Sequence, residues 1–300
     1  MTHTHGSTHR TRLAIAFGIT AAILVAEVVG AALTGSLALV VDAAHMLTDA
    51  GGLLLALVAA SLSLRPPSSR YTWGLRRTEV LAATAQAAIL LAVGVYALIE
   101  GVSRLASPPA VSSTGLLIFG IIGLVGNLAA IAVLSGGRSA NLNLRAAFLE
   151  VVADALGSVT VIIGAIVIAT TGWAGADAVA GMAISLFIIP RAILLLRETS
   201  HVLLEAVPRN LDLDNVREHI LRLPHVHSVH DLHASQIATG LPTLSAHVVV
   251  SDSCFYDGHA STMLDDLQSC VAQHFEVSIE HSTFQLETEG RGAHEHAAHD

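Results

Sequence analysis

The chain has 300 residues, of which 53% are hydrophobic and only 13% are charged, and its mean hydropathy is +0.64. A water-soluble globular protein needs more polar residues than this to cover its surface, so the composition excludes that class. The formal net charge is −9, and the arginines are scattered at segment ends without forming a basic stripe, which excludes a nucleic-acid-binding surface.

Six apolar blocks follow one another along the first two thirds of the chain, each close to the roughly 20 residues that a membrane-spanning helix needs. The blocks are Leu13–Leu33, Leu37–Leu64, Val80–Val102, Leu116–Leu134, Ala146–Ala169 and Ala174–Leu196. Helix is the expected conformation because lipid offers the backbone no hydrogen-bond partners. We therefore predict an α-helical membrane domain of six transmembrane helices over residues 13–198, embedded in the lipid bilayer.

The arginines predict the orientation of these spans. Nearly all of those that flank the blocks fall on one side, and only Arg104 falls near the other. The first group comprises Arg10, Arg12, Arg65, Arg70, Arg76, Arg77, Arg138, Arg145 and Arg197. By the positive-inside rule, both termini are expected in the cytosol of a multi-pass plasma-membrane protein.

Two pairs of ionisable residues lie inside the second and fifth blocks. His45 and Asp49 are four residues apart, as are Glu150 and Asp154, so each pair lies on one face of its helix. Two such helices can surround one cation with four donors, the number that zinc prefers. The alternative is that these residues only tie helices together, but such residues are usually uncharged, whereas ionisable groups in a span cost about 2.5–3.5 kcal/mol each.

The other polar residues of the blocks are not expected to belong to this site. Glu27, Asp42 and Glu100 are expected to reach water from near the span ends, and Asn127 and Gln86 to pack between helices. Glu79 is expected to pair with an arginine. Asp177 is expected at the start of the sixth helix, where a negative charge suits the helix dipole.

After about Thr199 the chain becomes more polar and changes its periodicity. The pattern predicts a helix at Asp212–Leu223, strands at Val226–Ile237 and Thr243–Val250, a helix at Asp257–His274 and a strand at Val277–Leu286. The order αββαβ indicates a small α+β, ferredoxin-like domain over residues 199–288.

Seventeen histidines are an unusual number, and several lie in the two ends of the chain. His3, His5 and His9 fall in a polar tail over residues 1–12, and His294, His296 and His299 fall in a low-complexity tail over residues 289–300. The tails can hold zinc weakly, or they are simply disordered polar segments. The two cysteines, Cys254 and Cys270, form no disulfide framework.

Several motifs, in order from about Leu13 to Glu287, resemble those of the cation diffusion facilitator family of proton-coupled zinc, cadmium and cobalt exporters. They are Gly35–Leu39 with Asp42, His45–Asp49, Gly74 with Arg77–Ala83, Asp154–Ser158, Val229–His233, Leu244–Val248 and His281–Glu287. The resemblance implies six spans, a cytosolic ferredoxin-like domain and a homodimer. It also implies that His45, Asp49, Asp154 and position 150 form a transport site.

Glu150 departs from the resembled family, whose zinc-type members carry histidine at that position. A carboxylate keeps the number of ligands but adds a negative charge and a harder donor atom. Zinc is expected as the transported substrate, with cobalt or cadmium accepted, and manganese or ferrous iron becomes an alternative. Because these ligands bind metal deprotonated, proton antiport is the expected mechanism.

Four further histidines match positions that resemble a metal site of the family's cytosolic domains: His230, His247, His259 and His281. They are expected to converge across a dimer interface, unless they are ordinary surface residues. His225, His227 and His233 are expected to face solvent, Cys254 is a weaker candidate donor, and Cys270 is expected in the core.

Two other classes of function, an intramembrane metallohydrolase and a metal sensor, are alternatives to transport. An intramembrane metallohydrolase needs a motif such as His-Glu-x-x-His, which the sequence does not contain, so we do not expect an enzyme. A metal sensor that does not transport leaves the four intramembrane groups unexplained. No organic cofactor is expected.

Overall fold

The computed structural model describes residues 4–63, 65–135 and 142–290 and begins with six long helices. They are α1 (Thr4–Thr34), α2 (Leu37–Ser63), α3 (Thr78–Ala106), α4 (Ser113–Ser135), α5 (Leu142–Thr171) and α6 (Gly175–Leu203). Helix α1 begins well before Leu13, inside the stretch predicted as a polar tail. The side chains of residues 4–13 lie outside the described part of the chain, as do His3 and residues 291–300.

Five of these helices are long and apolar enough to cross a membrane, counting only the described residues. Helix α2 is not among them, and several side chains of its second half are not described, so the sixth span stays a prediction. Large apolar side chains point outward from the helices; Phe187, for example, is 78% exposed. Such a surface suits contact with lipid rather than water.

The described residues group into two compact units. One unit draws on Met1–Leu55 and Ala85–Leu196, and the other on Ala56–Thr84 and Arg197–Asp300. The core of the first unit is built from aliphatic residues of α2 to α6, such as Leu39, Leu90 and Val161.

Glycines allow α2 to approach two neighbouring helices closely. A Cβ at Gly157 of α5 would lie 2.8 Å from Asp42 Oδ1, and a Cβ at Gly181 of α6 would lie 3.0 Å from Leu37 Cγ. Small residues at helix contacts are typical of membrane proteins, where packing replaces the hydrophobic effect between helices. This close packing brings the His45 face of α2 next to α5.

Asp177 fixes the start of α2. It lies in the first turn of α6, as predicted, but its carboxylate serves the other helix. Its Oδ2 accepts a hydrogen bond from the backbone N–H of Leu37 at 2.6 Å, and its Oδ1 accepts one from the Ser36 hydroxyl. A buried carboxylate at a helix N-terminus satisfies unpaired N–H groups and suits the helix dipole.

The second unit contains the predicted αββαβ order. Its elements are α7 (Leu213–Leu221), β1 (Val226–Ala238), β2 (Leu241–Val250), α8 (His259–Gln273) and β3 (His281–Glu287), with a short 3₁₀ turn at Asp252–Phe255. The sheet has the order β1-β2-β3, with β1 antiparallel and β3 parallel to β2. Apolar residues of both helices pack on one face of it. The ferredoxin-like assignment itself stays a prediction.

The third strand begins at His281 and not at Val277 as predicted. The backbone N–H of Ile279 donates to the carbonyl of Val271 in α8, and Ile279 is buried in the core. The apolar residues before His281 therefore pack against the helix and make no ladder with β2.

Replacing Asp177 with Asn should destabilise the helical unit, because the charged acceptor at the N-terminus of α2 is lost. We expect the free energy of unfolding to fall by about 1–2 kcal/mol, which corresponds to a Tm lower by about 2–8 °C. Thermal unfolding of the purified chain in detergent measures this. Glu100→Gln, which removes a half-buried carboxylate paired with Arg104, is the matched control and should change Tm far less.

Candidate metal centres

The two predicted pairs of ionisable residues meet between α2 and α5. His45 Nε2 lies 3.5 Å from Asp49 Oδ2, 3.9 Å from Glu150 Oε1 and 3.9 Å from Asp154 Oδ1. Donor atoms of His45, Asp49 and Glu150 all lie within 4.8 Å of one another. The structure thus brings three of the four predicted residues into one group of donors and places the fourth, Asp154, beside His45.

The spacing of these donors is close to what a tetrahedral ion requires. Zinc bound to nitrogen and oxygen at about 2.0–2.2 Å holds neighbouring donor atoms roughly 3.3–3.6 Å apart. The distances from His45 Nε2 exceed that range by a few tenths of an ångström at most. Small side-chain movements would therefore bring each of the three carboxylates to ligand spacing from His45.

Burial leaves part of this site without hydrogen bonds. His45 and Asp154 are buried, whereas Asp49 and Glu150 are half-buried. Among the described residues, Asp154 Oδ1 and His45 Nδ1 have no hydrogen-bond partner. A buried carboxylate oxygen without a donor is costly, and a bound cation removes that cost.

Arg191 of α6 binds Glu150 through both carboxylate oxygens, at 2.5 and 2.7 Å. Arg191 is not among the site residues predicted from the sequence. An arginine inside the block Ala174–Leu196 is itself unusual, since charges in a span need a partner, and this signal could have drawn attention to it.

The polar residues around the site differ in part from expectation. Glu27 and Asp42 do not reach water, because each is only 2% exposed, buried by close packing of the helices. Gln86 does more than pack: its amide lies 3.5 Å from Asp49 Oδ1. Asn127 packs as predicted and donates to the Ser158 hydroxyl. Glu79, expected to pair with an arginine, instead accepts a hydrogen bond from Thr239.

A second group of candidate ligands lies on the sheet of the other unit, on the face away from its helices. His247 Nδ1 lies 3.1 Å from Glu287 Oε1, and His230 Nε2 lies 3.5 Å from Glu287 Oε2. Three donor atoms of these residues all lie within 4.8 Å of one another. They comprise two of the four predicted histidines together with a buried glutamate that was not predicted as a ligand.

The local backbone explains why these side chains meet. His230 and His247 are directly opposed in the β1–β2 ladder, and their rings lie 5.2 Å apart. The ladder is irregular after His230, where Asp231 has a positive φ of 46°. A bulge there lets both Val229 and Leu232 face the core, which strict alternation forbids.

The other two predicted histidines lie elsewhere in the protomer. His259 begins α8 and is exposed, and its Nδ1 lies 2.9 Å from Asp257 Oδ1; the hydrogen bonds from His259 lower the pKa of Asp257. His281 is exposed and packs edge-on against Trp73, with ring centroids 4.5 Å apart. Their convergence with a second protomer stays a prediction.

The remaining candidates of this unit are placed as follows. His225, His227 and His233 are exposed, as expected. Cys254 and Cys270 are free and buried, and burial raises the pKa of the Cys270 thiol. Neither thiol belongs to a group of metal donors among the described residues.

Comparisons with known proteins cover both units. Residues 13–204 match a family described as the cation efflux transmembrane domain, and residues 208–289 match the cytoplasmic domain of cation efflux proteins. The metal cation efflux system protein CzcD of Cupriavidus metallidurans is 42% identical over 285 residues, 95% of this chain and 89% of its own length. The zinc transporter ZitB of Escherichia coli is 36% identical over 99% of both chains.

A third similar protein is the cadmium, cobalt and zinc/H(+)-K(+) antiporter of Bacillus subtilis. It is 36% identical over 299 residues, which is 99% of this chain and 94% of its own length.

Zinc titration of the full chain in detergent should distinguish the two centres. Asp154→Asn should remove the binding event of the α2–α5 site, and His247→Ala should remove that of the sheet site, each without affecting the other. His201→Ala, which removes an exposed histidine outside both groups, is the matched control. Unchanged zinc stoichiometry in His247→Ala would contradict a metal centre on the sheet.

Proposed function

The chain belongs to the cation efflux family, and we propose that it exports divalent transition-metal ions, zinc foremost, from the cytosol in exchange for protons. The motif resemblance is thereby confirmed. One observation carries the proposal: inside a helical membrane unit, His45 of α2 lies within 3.9 Å of three carboxylates from α2 and α5. The names of the similar proteins, all of them transporters or efflux proteins, support transport rather than catalysis.

The donor set supports zinc, cobalt or cadmium over magnesium or calcium. Imidazole suits the transition metals, while hard ions prefer sites made only of oxygen ligands. Zinc, cobalt and cadmium are also the ions in the names of the similar proteins. The three carboxylates keep manganese and ferrous iron as alternative substrates of the same mechanism.

Proton exchange follows from the chemistry of the same groups. His45, Asp49, Glu150 and Asp154 bind metal in their deprotonated forms, so binding releases protons and protonation releases the ion. Alternating access of this site to the two sides of the membrane then couples one flow to the other. The name of the Bacillus relative, an antiporter that includes H(+), supports this coupling.

The finer architecture is part of the proposal. We infer six spans with α2 as the second, both termini in the cytosol, a plasma-membrane location and a ferredoxin-like fold for the C-terminal domain. The arginine bias supports the orientation. A homodimer is supported by the match of residues 208–289 to the cytoplasmic domain of cation efflux proteins.

A second role, binding of a regulatory metal ion, is favoured by the sheet cluster. His230, His247 and Glu287 offer three donors on one face, outside the helical unit. We propose that zinc bound there reports the cytosolic concentration, with His259 and His281 contributing from the second protomer.

Replacing Asp49 or Asp154 with Ala should abolish zinc uptake into inside-out vesicles with an acidic lumen. Each change removes one charged ligand from a site of four, and because Arg191 is paired with Glu150, the remaining groups carry a net charge of minus one and cannot neutralise the dication. Uptake of radioactive zinc should fall to the level of empty vesicles. Glu100→Gln, outside the site, should retain wild-type uptake; wild-type rates in the Asp variants would refute the assignment.

Replacing Glu150 with His should shift the preference among metals. A nitrogen donor in place of a hard oxygen favours zinc over manganese, so the ratio of zinc to manganese flux should rise about ten-fold. Flux measured metal by metal in proteoliposomes gives this ratio independently of expression level. An unchanged ratio would show that position 150 does not set selectivity.

A further inference from the structure

Arg191 is a cation placed inside the candidate transport site. Its guanidinium binds both oxygens of Glu150, a geometry that fixes the two groups more firmly than a single contact. The side chain is 50% exposed, yet it belongs to α6, a candidate membrane span. An arginine there is costly unless it has a charged partner, and Glu150 is that partner.

The charges of the site explain what this pair does. Asp49, Glu150 and Asp154 together carry three negative charges when ionised, one more than a divalent ion neutralises. Arg191 brings the protein charge to minus two, so that the loaded site is neutral. Two histidines and two aspartates, the set implied by the resembled zinc-type members, carry the same charge.

On the basis of the proposed function, we propose that Arg191 is a positioning residue that, with Glu150, forms an electrically neutral unit in the position of a histidine ligand. The oxygen of Glu150 remains a donor, while Arg191 removes the excess negative charge that would hold cations too tightly. Arg191 acts through Glu150 and does not itself bind the metal.

The surroundings give the guanidinium room to act in this way. A cavity of about 130 Å³ is lined by residues of α2, α5 and α6, among them Asp42, His45, Gly157, Ile188 and Arg191. Pro190 precedes Arg191 and cannot donate a backbone hydrogen bond, which loosens α6 at this point. The arginine therefore has room to change its contact with Glu150 as the ion enters and leaves.

A double-mutant cycle on zinc transport tests the pairing. Arg191→Gln leaves the excess charge in place, so KM should fall about ten-fold while kcat also falls, because release becomes slow. Glu150→His leaves Arg191 without its partner beside an incoming dication, so KM should rise about ten-fold. The double variant E150H/R191Q should return both constants to within about three-fold of wild type.

Two further variants separate charge from structure. Arg191→Lys keeps the charge and should retain a KM within about three-fold of wild type. Arg104→Gln removes an arginine paired with Glu100 away from the site and should leave both constants unchanged. Zinc affinity of the same purified chains in detergent gives a readout that does not depend on transport.

The outcomes separate this inference from the function on which it rests. No zinc flux through wild-type proteoliposomes would overturn the proposed function and this inference with it. Wild-type zinc flux combined with a double variant no better than Glu150→His would overturn only the role of Arg191. Equal KM and zinc affinity in wild type and Arg191→Gln would do the same.

Discussion

The constraint that dominates the helical unit is electrical: between α2 and α5 the imidazole of His45 lies within 3.9 Å of three carboxylates, and His45 and Asp154 are buried. Protein and lipid interiors screen charge poorly, so such a group persists only when cations balance it. Arg191 supplies one fixed positive charge through Glu150. In the proposed mechanism, the transported ion supplies the rest, and protons replace it when it leaves.

Much of this site could be predicted because its spacing is local. Residues four apart on a helix share a face whatever the fold, so His45 with Asp49 and Glu150 with Asp154 could be paired from the sequence. Arg191 could not be assigned to Glu150 in this way. Their contact depends on how α5 and α6 pack side by side, and no periodicity in either helix encodes that.

The C-terminal domain shows the same limit. The pattern of apolar residues predicted its helices and strands in order, since each has its own period. The grouping of His230 and His247 with Glu287 depends on strand register and on the bulge at Asp231, which alter which side chains share a face. The predicted start of the third strand, Val277, was also wrong, because Ile279 packs on α8 and makes no ladder with β2, so the strand begins only at His281.

The carboxylate of Asp177 joins the first turn of α2 to the first turn of α6 through buried hydrogen bonds. Fourteen residues further along α6, a distance of about 21 Å, stands the guanidinium of Arg191. Asp177 therefore holds the N-terminal ends of α2 and α6 together. Sliding of α6 along α2 would break these hydrogen bonds. Tilting of α6 about its N-terminal end would preserve them and would displace Arg191 relative to α5.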